Sequence, residues 1–289
     1  MTVGVFDGIH RGHQQIIGKA VDAARAAGVP SVLLTFDPHP SEVVRPGSHP
    51  PVLASQRYRA ELVEALGVDV VCVLPFTRDF SRLSPDEFVH DVLVEHLHAR
   101  HVVVGENFRY GYKAAGDVTS LAAAGRRWGF TVDGVPLMGA GDTTWSSTYV
   151  RACVRAGDVE AAAAALGREH RIEGFVVRGD QRGREIGYPT ANLEPLPWSA
   201  IPADGVYAGR LVLRGQQLPA AISIGTNPTF DGQERRIEAF VLDYSGDLYG
   251  ESVGLSFAAR LRETLRFDGV APLVAQMERD VARARELLA

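Results

Sequence analysis

The stretch TVGVFDGIHRGHQQIIGKAVDAARAAG, Thr2 to Gly28, decides the fold, because it reads as a strand, a glycine-rich turn and a helix. TVGVF has the apolar, β-branched character of a buried strand. HQQIIGKAVDAARAAG then places Ile16, Ile17, Ala20, Val21 and Ala24 on one helical face, and Gly28 supplies the stop. A tight turn of this kind aims free backbone N–H groups at whatever lies above the strand ends, which is where anions bind. Gly4, Gly8 and Gly12 permit close backbone approach, and His10 and His13 can each present an N–H. Three readings of HRGH compete. A metal site needs further ligands and lacks the His-Glu-x-x-His arrangement. A pair of histidines that merely cap the helix is the plain alternative. The glycine spacing favours the third, a phosphate pocket.

The same alternation runs to about residue 150. SVLLTF (31–36), VDVVCVLPF (68–76), HVVVGENF (101–108) and FTVDGVPLM (130–138) read as further strands, with a helix from about Val118 between the last two. SPDEFVHDVLVEHL opens a helix with Ser84 as N-cap, Pro85 at the first helical position and Glu87 completing a capping box. Five parallel strands with crossover helices make a Rossmann-like α/β layer. The pattern then changes. SSTYVRACVRAG and DVEAAAAALG are consecutive helical segments, after which strands follow one another across Gly, Pro, Asp and Asn turns: IEGFVV, GVYAGRLVL, LPAAISIG, RIEAFVLDY and SVGLSFAARL. That grammar predicts an antiparallel barrel or sandwich. A last helix repeats Leu273, Met277, Val281, Ala284 and Leu288 and is expected to pack this face on the barrel. The expected domains are 1–165 and 166–289.

At 289 residues and 46% hydrophobic content the chain has ample material for two cores. A formal charge of -5 argues against wholesale nucleic-acid binding, so phosphate chemistry is expected to be local. Only Lys19 and Lys113 are lysines, so nearly every cation is a guanidinium, a bias that codon composition also explains. Cys72 and Cys153 form no ligand cluster or disulfide framework, and no signal leader or membrane-length apolar run is visible. We therefore expect a cytoplasmic protein with no membrane partner; a homo-oligomer is left open. Met1 runs almost directly into the first strand, so a start upstream of it is also expected.

WSSTYVR places Ser146, Ser147 and Thr148 at a helix start with Arg151 one turn on. Alone it is a good N-cap; beside the first turn it offers hydroxyls, N–H donors and a guanidinium to one polyphosphate. Together, FDGIHRGH and SSTYVR resemble the nucleotidylyltransferase superfamily. Within it, TFDPHP (Thr35 to Pro40) and GENFRYG (Gly105 to Gly111) are similar to the FMN adenylyltransferase module of prokaryotic bifunctional riboflavin kinase/FAD synthetases. Trp145 stands where an aliphatic residue is usual, Tyr110 where Phe is usual, and the segment that normally precedes the first strand is absent. The resemblance implies FMN + ATP giving FAD + pyrophosphate, with His10, His13 and Arg151 carrying the chemistry. It further implies Gly4, Phe6, Asp7, Gly12, Ser146, Ser147 and Thr148 on ATP, Asn107, Phe36, Pro38 and Pro40 on the flavin, and Mg²⁺ with ATP. For Phe36, plain core packing is an equal reading.

The second dense stretch is GFVVRGDQRGREIGYPTANLEP (Gly174 to Pro195), whose closely spaced glycines read as a loop that closes on a ligand and match no Walker A pattern. YPTAN (Tyr188 to Asn192) resembles the riboflavin kinase signature, with Tyr for the usual Phe. GVYAG (205–209), SIGTNPTF (223–230) and IEAFVLDYSGDLYG (237–250) extend the match. It implies a Greek-key barrel in which Gly179, Gly183, Pro189, Thr190 and Asn192 hold ATP, Thr190 and Asn192 meet Mg²⁺, and Arg262 and Phe267 touch the flavin. Its reaction phosphorylates riboflavin to FMN, leaving ADP. Period-2 alternation in RRIEAFVLDY puts Ile237, Ala239 and Val241 on one face and Glu238, Phe240 and Leu242 on the other. A carboxylate among apolar neighbours is costly unless used or paired, so Glu238 is the candidate base; a salt bridge to Arg235 or Arg236 is the alternative. Two other functions compete with this reading: adenylyl transfer to a different phosphorylated cofactor precursor, which leaves PTAN and Glu238 idle, and a flavin-binding regulator, which predicts lost catalytic residues.

Overall fold

The computed structural model describes residues 1–179, 183, 186–226 and 235–289. They form two compact units, Met1–Pro50 with Gln56–Ser146, and Pro51–Ser55 with Ser147–Ala289. The division into compact units falls between Ser146 and Ser147.

In the first unit, β1 (Thr2–Val3), α1 (Arg11–Ala27), β2 (Val32–Asp37), α2 (Pro40–Val44), α3 (Gln56–Ala65), β3 (Val70–Pro75), α4 (Pro85–Glu87), β4 (His101–Gly105), α5 (Val118–Trp128) and β5 (Thr131–Val135) follow one another, and a small hairpin, β6 (Gly139–Ala140) and β7 (Thr143–Thr144), comes last. The five long-range strands pair in parallel in the order β3-β2-β1-β4-β5, as expected of a Rossmann-like layer. Alternation sorts the side chains between two layers. Leu34, Val102 and Val104 pack with Phe88, Val89, Leu93 and Leu121, whereas Leu33 packs with Ile17, Val21 and Val63 from α1 and α3. The Ser84–Glu87 capping box is present, but after one α-helical turn the chain widens into π-helical turns over Phe88–His96.

One expected strand is shorter than its sequence. TVGVF is a strand only at Thr2 and Val3, because the chain turns immediately: Phe6, Gly8 and Ile9 all have positive φ (51°, 78° and 40°). β-Branched content favours a strand at Val5, and the turn that follows overrides it.

In the second unit, α6 (Ser147–Ala156) and α7 (Val159–Leu166) precede β8 (His170–Val177), β9 (Ala191–Pro195), β10 (Gly205–Leu213), β11 (Gln216–Gly225), β12 (Arg236–Val241) and β13 (Ser252–Arg262). Among the described residues these six strands close an antiparallel barrel in the order β10-β11-β12-β9-β8-β13. β13 returns to lie beside β10, next to the β10-β11-β12 meander, which is a Greek key. β9 was not anticipated as a strand: ANLEP has weak β propensity and ends on Pro195, and it is paired only because β8 and β12 supply both edges. Tyr207, Phe257, Ile222 and Leu211 fill the interior, and the Tyr207 hydroxyl donates to the Ala203 carbonyl at 2.6 Å. Burial pushes the Tyr207 phenol pKa up.

The C-terminal helix, Val270–Leu288, divides its apolar stripe. Ala284 and Leu288 pack against Ala208 on the barrel, whereas Leu273, Met277 and Val281 are half-buried and roof a cavity. Only the C-terminal half of the stripe therefore packs closely on the barrel.

Candidate active sites on the two units

In the first unit the Gly4–His10 turn delivers the chain into α1. His10 is the N-cap and makes no side-chain cap hydrogen bond, and the first turn of α1 carries no acidic residue. The N-terminus of α1 carries the positive end of the helix dipole. The His10 and His13 rings stack, with centroids 3.7 Å apart, and the edge of Phe6 meets His13 at 5.1 Å. Gly12 makes the stack possible, because a Cβ there would lie 3.1 Å from the His10 ring. Among the described residues no group of three His, Cys, Asp or Glu is placed to hold a metal. Phe6 is buried with Ile9, Ile17 and Leu33, so it backs the turn rather than lining a surface. Asp7 is buried, and Val5 O accepts from Arg59 Nη1 (2.8 Å) and Thr35 Oγ1 (3.2 Å), which ties the turn to α3 and β2. Desolvation lowers the Arg59 pKa, opposed by the charges of Asp7 and Asp37.

A cavity of about 350 Å³ adjoins this turn through Gly4. Its walls include Phe36, Pro40, Phe76, Phe80, Phe108 and Tyr110. Phe36 meets Phe76 edge to face at 5.5 Å, and Phe108 stacks on Tyr110 at 5.6 Å. Such a slot suits a large flat ring. Of the four residues expected on the flavin, Phe36 and Pro40 line this cavity; Pro38 and Asn107 are not among the lining residues, and Asn107 Oδ1 instead lies over Gly105. Sequence reasoning did not mark Phe76, Phe80 and Phe108, because the first two come from the connection after β3 and the third from that after β4, and their convergence is tertiary. Ser146 ends this unit, and Ser147, Thr148 and Arg151 lie on α6 in the other, so the phosphate set grouped by sequence is divided between the two. Arg151 Nε donates to the Pro51 carbonyl at 2.7 Å within the second unit.

The second unit builds its site on the outer face of β12. Ile237, Ala239 and Val241 point into the barrel, which leaves Glu238 and Phe240 on the opposite face, as the alternation predicts. In register, Glu238 lies opposite Asn192 of β9 and Ser223 of β11. Thr190, Asn192, Ser223, Glu238 and Arg262 line one cavity of about 150 Å³ beneath Leu273, Met277 and Val281. Thr190 also borders a cleft of about 650 Å³ on its other side, with Pro189, Arg178 and Tyr249. Gly179 is required by the approach of Asn192, whose side chain would lie 2.5 Å from a Cβ there; Gly183 lines the smaller cavity. Arg235 is engaged by Asp204 at 2.7 Å. Phe267 lies 5.9 Å under the Arg262 guanidinium and is not among the cavity-lining residues. Asp180–Arg182, Arg184, Glu185 and the NPTF of SIGTNPTF lie outside the described residues.

Two family models cover the chain: FAD synthetase over residues 1–149 and riboflavin kinase over 166–288. The chain belongs to the bifunctional riboflavin kinase/FMN adenylyltransferase family. It is thereby an enzyme of flavin cofactor biosynthesis. Relatives of that name are 40% identical in Listeria monocytogenes (100% of this chain, 92% of the relative), 38% in Pseudomonas fluorescens (100% and 92%) and 35% in Escherichia coli K12 (99% and 91%). A crystal structure from Streptococcus pneumoniae described as a macrolide-efflux protein is 34% identical, with a TM-score of 0.88 over 98% of this chain and 93% of that one. That description belongs to that protein. Among the described residues here, no helix is long and apolar enough to cross a membrane. PTAN and Glu238 lie within the span matched by the riboflavin kinase model and outside that matched by the FAD synthetase model.

Proposed function

We propose that this chain phosphorylates riboflavin in the second unit and adenylylates FMN in the first, with the residues divided as follows. In the kinase reaction the riboflavin ring lies under the C-terminal helix, against Phe240 and the Arg262 end of the small cavity, and ATP takes the cleft beyond Thr190. Glu238 accepts the proton of the 5'-hydroxyl as that oxygen attacks the γ-phosphorus and ADP leaves. The observation that carries this reading is the convergence of Glu238, Thr190 and Asn192 on one cavity from β12, β9 and the connection before β9.

Mg²⁺ fits the donor chemistry of Thr190 and Asn192, whose side chains offer neutral oxygens and would leave the phosphates to complete the shell. Bound there it would neutralise charge on the β- and γ-oxygens. The protein's own part is to fix the two substrates and hold the proton acceptor.

For adenylyl transfer, the FMN phosphate attacks the α-phosphorus of ATP in line and pyrophosphate leaves, so no protein nucleophile is required. Enzymes lower barriers by about 8 kcal/mol or more. One helix terminus contributes up to about 2 kcal/mol, so the α1 terminus and the stacked histidines need positioning of the substrates to add up to about 7–11 kcal/mol. The aromatic slot meeting the turn at Gly4 supports that positioning. Ser147, Thr148 and Arg151 retain the phosphate roles that their motif implies.

Incubation with riboflavin, ATP and Mg²⁺ followed by separation of the flavins tests the assignment. FMN and then FAD are expected, with ADP and pyrophosphate released in the two stages; conversion of neither flavin overturns it.

A further inference from the structure

We infer that Asp280 is the counter-ion that keeps the kinase cavity neutral and thereby sets its preference for uncharged riboflavin over anionic FMN. The inference rests on the assignment of that cavity to the flavin. Asp280 interrupts the apolar stripe of the C-terminal helix, one position before Val281, and is only 7% exposed. Arg262 grips it from β13: Nε donates to both carboxylate oxygens (3.1 and 3.0 Å), and Nη2 donates to Oδ2 (2.7 Å). Gln276 Nε2 donates to Oδ1 at 2.8 Å, and Arg262 Nη1 donates to the Glu263 carbonyl at 2.9 Å.

Stability does not explain the pair. A buried ion pair is often matched or exceeded by apolar residues of similar volume, and apolar residues already occupy the stripe on either side. Charge balance explains it. The described residues lining this cavity include two guanidiniums, Arg236 and Arg262, and two carboxylates, Glu238 and Asp280, so their formal charges sum to zero. Riboflavin is neutral, whereas FMN carries a phosphate monoester of about -1.5 to -2 at pH 7. Described lining residues whose charges cancel give the product no added attraction, and FMN leaves to serve as the substrate of the second activity. Without Asp280, the Arg262 cation at the ring end of the cavity stands uncompensated, and in a cavity of reduced dielectric its field reaches the anionic product and leaves neutral riboflavin unaffected.

The test is the kinase reaction of the full chain, followed by ADP release, which adenylyl transfer does not produce. The KM for riboflavin and the inhibition constant for added FMN are taken on the same preparation from initial rates, before adenylyl transfer consumes the added FMN. Asp280→Asn is expected to lower the ratio of the FMN constant to the riboflavin KM by about tenfold, and Asp280→Glu to keep it. Gln276→Glu, which adds a carboxylate beside the pair, is expected to raise it, and this variant carries the test if Asp280→Asn does not fold. Equal weakening of riboflavin and FMN in Asp280→Asn would reduce Asp280 to a structural role and overturn the inference. Unchanged constants for both flavins in all three variants would overturn it too and would remove this cavity from the flavin assignment. An unmoved ratio in Gln276→Glu, with riboflavin turnover intact, also contradicts it.

Discussion

Replacing Glu238 with Gln separates the two activities most sharply. The substitution keeps the shape of the side chain on the outer face of β12, opposite Asn192 and Ser223. Ile237, Ala239 and Val241, which hold β12 in the barrel, are untouched, so stability is expected to change by no more than about 0.5–1 kcal/mol. What is lost is the proton acceptor. General-base catalysis contributes about 10²–10⁴ in rate, so kcat for FMN formation should fall by that factor, equivalent to about 3–5 kcal/mol. The riboflavin KM should move little, because the ring contacts come from other residues. The assay is ADP release with riboflavin as substrate, run beside pyrophosphate release with FMN supplied. Pyrophosphate release should be unchanged. A kinase rate within about threefold of the parent would refute the base assignment, and a parallel loss of both activities would show a defect of folding instead.

Three further outcomes follow from particular contacts. His13→Ala removes one half of the stacked pair and Gly12→Ala drives a Cβ to 3.1 Å from the His10 ring, so both should depress FAD formation from FMN while ADP release from riboflavin stays intact. Gly179→Ala forces a Cβ to 2.5 Å from the Asn192 side chain and should raise the ATP KM of the kinase reaction only, measured by varying ATP at saturating riboflavin. Asp69 accepts hydrogen bonds from the Ser31 backbone N–H and hydroxyl, which hold its carboxyl below the ordinary range. Its folded pKa lies below the unfolded one, so its stabilising effect is complete above the ordinary carboxylate pKa and is lost as pH falls through the lower, folded value. Ser31→Ala should move Asp69 upward in a carboxyl-carbon NMR titration.

Much of this was legible from local pattern. Helix α1, its Gly28 terminator and the Ser84–Glu87 capping box are short-range devices written in adjacent residues, and they form as read. The alternation in β12 foretold which side Glu238 would occupy, because that side is fixed by the core residues Ile237 and Ala239 between which it lies. What the sequence concealed is tertiary. β9 exists through its neighbours rather than its own propensity. Val5 leaves the strand because the turn after it needs three positive φ angles, and Phe76, Phe80 and Phe108 meet only when separate connections converge. Asp280 did leave a trace: a carboxylate set within an apolar stripe, three residues after Met277 and four before Ala284. That spacing marks a buried charge in want of a partner, and Arg262 is that partner.

The central claim is that one chain holds two independent sites acting in series. It is tested most directly by mixing two full-length variants, each impaired at one site. With riboflavin, ATP and Mg²⁺, the Glu238→Gln chain alone should leave riboflavin largely unconverted, and the His13→Ala chain alone should stop largely at FMN. An equimolar mixture of the two should restore FAD, as FMN released by one chain is taken up by the other. Failure of the mixture to form FAD, while FMN accumulates and Glu238→Gln still adenylylates supplied FMN, would contradict independent sites linked by released FMN.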